Sequence, residues 1–321
     1  SAFGLDVFAN NVSLQTIRFG SIDPPTLNGT IGINIGSNVT NGTKIYAYNW
    51  SNFDPSFGGL DVSYQYTSYN NLSYNIVDNY SYITITGGNG DTCGNLIIPT
   101  NIPHKGINYE VQEISANAFE HNLNITSIDA SNSNLQSIKY RAFHSCTVIE
   151  TVYLTNSQLL NTLETEAFLN CWYIKSIDLS GCTSLTTIGE KAFKACFGLT
   201  SIDFTNCFEL TTLGDQVFQT TYNNPSPITE YDFTYCTKLS TFGANIFDNN
   251  RSLKTIRFGS IEPPTFNISL GSNIGISNDL VGEGDTIIYA YNWSNFDISF
   301  GGFDVSYQYT SYNNLAYNIV D

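Results

Sequence analysis

The sequence predicts a repeat solenoid: short β-strands and short helical turns stacked rung upon rung, with β-rich caps and joints. Three observations predict it. Phe119, Phe143, Phe168, Phe193, Phe218 and Phe247 recur at spacings of 24, 25, 25, 25 and 29 residues, most of them after an Ala. Each is followed by a short alternating stretch such as YIKSIDLSGC or GLTSIDFTNC. Long strings also return 239 or 243 residues later: FGLDVFANNVSLQTIRFGSIDPPTLN (from Phe3) as FGANIFDNNRSLKTIRFGSIEPPTFN (from Phe242), and IYAYNWSNFD at 45–54 unchanged at 288–297.

The short period defines the rung. In L-x-x-I-x-L-x-x-C the apolar set of one rung is Leu199, Ile202, Phe204 and Cys207, followed by Leu210, which is the leucine-rich-repeat pattern. Ile202 and Phe204 lie two apart on a strand and point inward, while Ser201 and Asp203 alternate outward. The preceding GEKAFKAC spaces Ala and Phe as a short helix or tight helical turn would, with Phe193 plugging the core. One such unit cannot bury its apolar face alone, so the units must stack.

The long period divides the chain. Residues 1–78 read as the C-terminal end of a preceding module, with its closing cap and a Tyr-rich joint. Residues 79–118 read as the opening cap of a complete module, 119–258 as its solenoid, and 259–321 as its closing cap and joint. The chain is therefore expected to be a segment of a tandem array, with a further module beyond Asp321.

Composition narrows the partners. The 321 residues, 41% of them hydrophobic, suffice for a large core, and 28 acidic against 12 basic residues leave a net charge of −16. With no Lys/Arg cluster, neither nucleic acid nor an anionic membrane is an expected partner. No apolar run in this segment is long enough to span a bilayer.

The module ends resemble a known family. SYITITGGNGDTCGNLIIPTNIPHKGINYEVQEISANAF (81–119) is similar to the opening cap of BspA-type leucine-rich-repeat proteins, and SIDPPTLN…KIYAYNW and SIEPPTFN…IIYAYNW to their closing cap. The closing strand departs from that family in lacking its Pro and in the Tyr-rich joint that follows. The resemblance implies a surface-exposed or secreted, non-catalytic protein of the adhesive or matrix-binding class. It names no ligand, because function in such scaffolds lies in the exposed positions.

Candidate sites follow from those positions. The outward residue of each strand reads Asp129, Tyr153, Asp178, Asp203, Asp232 and Arg257 down the stack. Strands roughly 4.8 Å apart would align the acids, so this column is a stripe for a cation or ligand, or else a solvated acidic face. In the joint, Val62, Tyr64, Tyr66 and Tyr69, with Tyr80 and Tyr82 and the second copy's Tyr307, Tyr309 and Tyr312, form an aromatic strand face. It would seal a solenoid end, or dock neighbouring modules or copies of the chain edge to edge. Candidate N-glycosylation acceptors are Asn11, Asn28, Asn38, Asn41, Asn49, Asn71, Asn79, Asn124, Asn250, Asn267 and Asn292, with none between Ile125 and Phe247.

Cys182, Cys207 and Cys236 share one repeat position; Cys146, Cys171 and Cys196 share another, three after a core Phe. They are expected to be buried free thiols filling the turns. The three histidines lie at different repeat positions, and no hydrolase, zinc-protease, P-loop or dinucleotide motif occurs. Hence no catalytic residue, metal site or cofactor is expected. The partners expected are other copies or modules of the chain, or a host or matrix protein or glycan, at an extracellular or cell-surface location.

Overall fold

The computed structural model describes residues 2–3, 9–11, 13, 16–19, 26–27, 44–48, 56–57, 60–61, 64–69, 71–77, 82–88, 94–104, 107–260, 263–266, 269–275, 286–290, 299–300, 303–304, 307–312 and 315–318. It is a β-solenoid in which each rung lays down two short parallel strands. The outer strands Gly94–Ile97, Ile125–Asp129, Thr151–Tyr153, Ser176–Asp178 and Ser201–Asp203 form one sheet, and Glu230–Phe233, Thr255–Phe258 and Ile287–Ala290 begin another. The second strand of each rung, such as Ser137–Ile138, Thr162–Leu163 and Thr187–Ile188, joins a thirteen-stranded sheet.

The expected alternation holds residue by residue. In one rung Leu199, Ile202, Phe204, Cys207 and Leu210 are all buried. The Phe column forms a continuous stack: Phe119, Phe143, Phe168, Phe193, Phe218 and Phe247 follow one another at centroid separations of 5.1, 5.1, 5.4, 5.9 and 6.0 Å, with their planes nearly parallel throughout. This stack is the spine that each rung adds to by one ring.

The expected short helical turns are corrected: among the described residues there is no α-helix. The reason lies in where the N–H groups go. Around Phe143, the amides of Arg141, Phe143 and Ser145 donate to Thr165, Ala167 and Leu169 of the next rung, while Ala142 and Cys146 close four-residue turns onto Lys139 and Phe143. Alternate amides are thus committed between rungs, so an i→i−4 helix ladder cannot form. The flanking positions adopt left-handed backbone, as at Arg141 (φ 54), Ser145 (φ 58), Lys191 (φ 57) and Ala195 (φ 61). The Ala–Phe spacing looked helical because it places small and large side chains inward, which this turn also requires.

The six described cysteines are buried free thiols. Cys146, Cys171 and Cys196 donate Sγ–H to the carbonyls of Phe119, Phe143 and Phe168, and Cys182 and Cys207 to those of Leu154 and Leu179. Each of these five thiols ties its rung to the one before. Cys93 lies outside the described residues.

Candidate functional site

Backbone pairing sets the outer column. Asp129, Tyr153, Asp178 and Asp203 stand side by side on successive strands, and Asp232 stands beside Arg257. The register continues to Tyr289, whose ring lies under the Arg257 guanidinium at 4.5 Å. Tyr289 was legible in principle, since IIYA occupies the same I-x-L positions as SIDL.

Each acid of the column has a local task. The Oδ1 atoms of Asp129, Asp178, Asp203 and Asp232 accept from the amides of Ser131, Ser180, Thr205 and Thr234 at 3.0, 2.9, 2.8 and 2.9 Å. These turns end the strand and satisfy an amide the ladder leaves over, which is why Asp recurs there. Asp178 also accepts at Oδ2 from Thr155 Oγ1 of the preceding rung, at 2.7 Å. Partial burial pushes its carboxyl up, but the hydrogen bonds from Ser180 and Thr155 outweigh that and hold its pKa below the usual value. The two carboxylates that the register sets directly side by side, Asp178 and Asp203, are thus each met by a turn amide.

The same acids line a groove. Tyr153, Asp178, Asp203, Asp232 and Tyr235 surround a concavity of about 370 Å³ on the outer face. Tyr153 and Tyr235 are exposed large aromatics. Carboxylate oxygens left over from the turns, flanked by two phenol rings, can accept from ammonium, guanidinium or sugar hydroxyl groups and offer a flat apolar surface. Tyr235 was missed in the sequence because it lies on the turn after the strand.

At the joint the strand Tyr64–Tyr69 pairs in parallel with Lys44–Tyr48 and antiparallel with Leu72–Val77. Leu72–Val77 then pairs antiparallel with Tyr82–Gly88, and that strand pairs in parallel with Ile107–Ile114. One sheet therefore runs from residues 16–19 through the Tyr-rich hairpin into the inner strands of the solenoid. The second copy repeats the register, Tyr289 opposite Tyr307 as Tyr46 opposite Tyr64, and Tyr312 opposite Leu315 as Tyr69 opposite Leu72. Of the expected joint residues, Tyr64, Tyr66, Tyr69, Tyr82, Tyr307, Tyr309 and Tyr312 lie on these strands. Val62 and Tyr80 lie outside the described residues.

The joint's anchor is a residue the sequence reading passed over. Leu72 and Tyr74 are buried, and the Tyr74 hydroxyl hydrogen-bonds His104 Nδ1 at 3.2 Å, with the His104 ring edge-on to Tyr74 and to Tyr109. The alternation Leu72, Tyr74, Ile76 was the available signal. His121 and His144, by contrast, sit on adjacent rungs next to Glu120, the group among the described residues that brings metal-ligand atoms together.

Among the glycosylation candidates, Asn11, Asn71 and Asn124 are exposed. Asn250 is 1% exposed, donates Nδ2–H to the Phe218 carbonyl, and accepts from Ser226 and Tyr231. Its amide nitrogen is not available to a glycan in the folded chain. It fills the position that Cys146, Cys171 and Cys196 fill elsewhere, and makes their bond. Asn28, Asn38, Asn41, Asn49, Asn79, Asn267 and Asn292 lie outside the described residues.

Comparison with known proteins agrees with this geometry. Six copies of the BspA type leucine rich repeat region match residues 112–254. Among solved structures the chain is similar to the pneumococcal vaccine antigen PcpA, at 18% identity over 75% of this chain and 68% of that one, TM-score 0.53. It is also similar to a leucine rich cell surface protein from Faecalibacterium prausnitzii A2-165, at 19% identity over 63% and 56% of the two chains, TM-score 0.43. A T. pallidum leucine rich repeat protein matches at 18% identity over 60% and 85%, TM-score 0.41. The chain spans little more than half of the Faecalibacterium protein, and at these identities the likeness to PcpA is one of fold. No curated protein matches.

Proposed function

Because residues 112–254 are BspA-type leucine-rich repeats, we propose that the chain is part of a non-catalytic, extracellular or cell-surface repeat protein whose modules build a fibre or surface coat with adhesive faces. The observation that carries this is the sheet continuing from the strand at 16–19 through the Tyr-rich hairpin to the solenoid beyond. Two copies of a joint with one register impose the same rotation between successive modules, and such a step generates a rod or helix. On this reading residues 1–78 end one module and 79–321 make the next, with exposed Asn residues carrying glycans. Electron microscopy of a longer tandem chain tests it: rods with a constant axial module spacing are expected, and modules hinged at random angles would refute it.

A second reading is favoured by the groove between Tyr153 and Tyr235. Here the chain is an adhesin whose outer column binds a basic protein segment or a glycan. The combined substitution Asp178→Asn, Asp203→Asn and Asp232→Asn keeps the turn-accepting Oδ1 and removes the charge. It should abolish binding of a cationic partner under this reading and leave module spacing unchanged under the first.

A further inference from the structure

The first two rungs of the solenoid meet at a cluster that neither the fold nor the joint uses. The rungs are registered by the Phe119 and Phe143 rings, stacked at 5.1 Å, and by the His121 amide donating to the His144 carbonyl at 2.8 Å. This places Glu120, His121 and His144 together on the solenoid surface. His144 Nδ1 lies 2.8 Å from Glu120 Oε1, and His121 Nε2 lies 3.9 Å from the same oxygen. The two imidazoles meet edge to face at 5.3 Å, and one ligand atom from each of the three residues falls within 4.8 Å of the others.

We propose that Glu120, His121 and His144 form a surface site for an imidazole-preferring divalent transition metal of the Zn²⁺ class, with water completing the coordination. Two nitrogens and a carboxylate are a familiar donor set for such an ion, whereas Ca²⁺ takes six to eight oxygens and Mg²⁺ an octahedral oxygen shell. Bonds of about 2.0–2.2 Å in a tetrahedron separate ligand atoms by roughly 3.3 Å, so the present spacings need adjustments of at most about 1.5 Å. The side chain that must move furthest, His121, is 69% exposed and can swing without disturbing the core. The one that must stay, His144, is 13% exposed and is held from its far side: Ser145 Oγ lies 3.3 Å from its Nε2. A partner on the distal ring nitrogen, leaving the other facing the ligands, is the outer-shell arrangement that orients metal-bound histidines. The competing arrangement is a Glu120–His144 hydrogen bond with His121 as a bystander, which gives no reason for ion binding.

The chain's own repeat supplies substitutions compatible with the fold. Ala195 holds the His121 position with the same left-handed backbone (φ 61 against φ 60), and Leu169 holds the His144 position. The chelator-treated 321-residue chain is titrated with Zn²⁺ by calorimetry and with Co²⁺ by visible absorption. The expected result is one saturable site per chain and a Co²⁺ spectrum of nitrogen and oxygen ligands. His121→Ala, His144→Leu and Glu120→Gln should each weaken binding by about 100-fold or more, because even outer-shell partners are worth 10–100-fold. Saturable binding that these variants leave unchanged, a sulfur-to-cobalt charge-transfer band, equal competition by Mg²⁺, or no saturable binding would each overturn the proposal. If His144→Leu disturbs folding, His121→Ala decides, since its side chain supports no core contact.

Discussion

Phe168→Ala tests the rung-stacking account at its centre. Phe168 is fully buried between Phe143, at 5.1 Å and 7°, and Phe193, at 5.4 Å and 16°. A ring burying about 150 Å² at about 25 cal/mol/Å² is worth ~4 kcal/mol, within the 3–5 kcal/mol typical of Phe→Ala in cores. The backbone cannot collapse to fill the gap, because the Phe168 amide is bonded to Ala192 of the next rung and the Phe143 amide to Ala167. At about 2–4 °C per kcal/mol, the melting midpoint should fall by roughly 6–20 °C. Since rungs contact only their neighbours, the gap should also split the unfolding curve in two, residues before 168 separating from those after. Thermal unfolding followed by circular dichroism measures the midpoint, and urea titration the free-energy loss and the splitting. A loss below about 1 kcal/mol with one unbroken transition would refute the reasoning.

Two further predictions concern the buried side chains that tie one rung to the rung before it. Asn250→Ala strands the Phe218 carbonyl and the Ser226 and Tyr231 hydroxyls, at a cost of about 2–4 kcal/mol. Asn250→Cys restores a donor to Phe218 and should recover part of that loss in urea midpoints, while glycopeptide mapping should find Asn250 unmodified. Burial pushes the thiols of Cys146, Cys182 and Cys196 from 9.0 up to about 12. Because the unfolded chain releases these protons first, their stabilising contribution is complete below pH 9 and is lost as pH rises from about 9 to about 12. In the native chain at pH 8 they should resist alkylation; rapid labelling without unfolding would contradict their burial.

Much of this architecture was legible because a period near 25 residues writes the same task in the same column many times. The Phe stack, the thiol rows and the outer Asp column all follow from aligning rungs. Where columns must be read across one another, legibility failed. Glu120 and His144 share a column but His121 belongs to the next one, and only the left-handed turn at His121 (φ 60) brings it back beside them. Asn250 carried a glycosylation motif, yet its alignment with Cys146, Cys171 and Cys196 marked it as an inward rung tie. The turns themselves misled because an Ala–Phe spacing cannot reveal whether an amide bonds within its own segment or to the next rung. Tyr74 was overshadowed by the run of tyrosines before it.

The Tyr-rich hairpin shares one continuous sheet with the solenoid, so it should behave as part of it and not as a linker. Amide hydrogen exchange on the 321-residue chain measures this directly. The hairpin's second strand, Leu72–Val77, pairs along its length with Tyr82–Gly88, so its sheet-bonded amides should be protected to within about tenfold of those in the first rungs, such as Phe119 and Phe143. Exchange of Leu72–Val77 at the rate of an open chain, with the rungs protected, would show an independent tether and contradict the account.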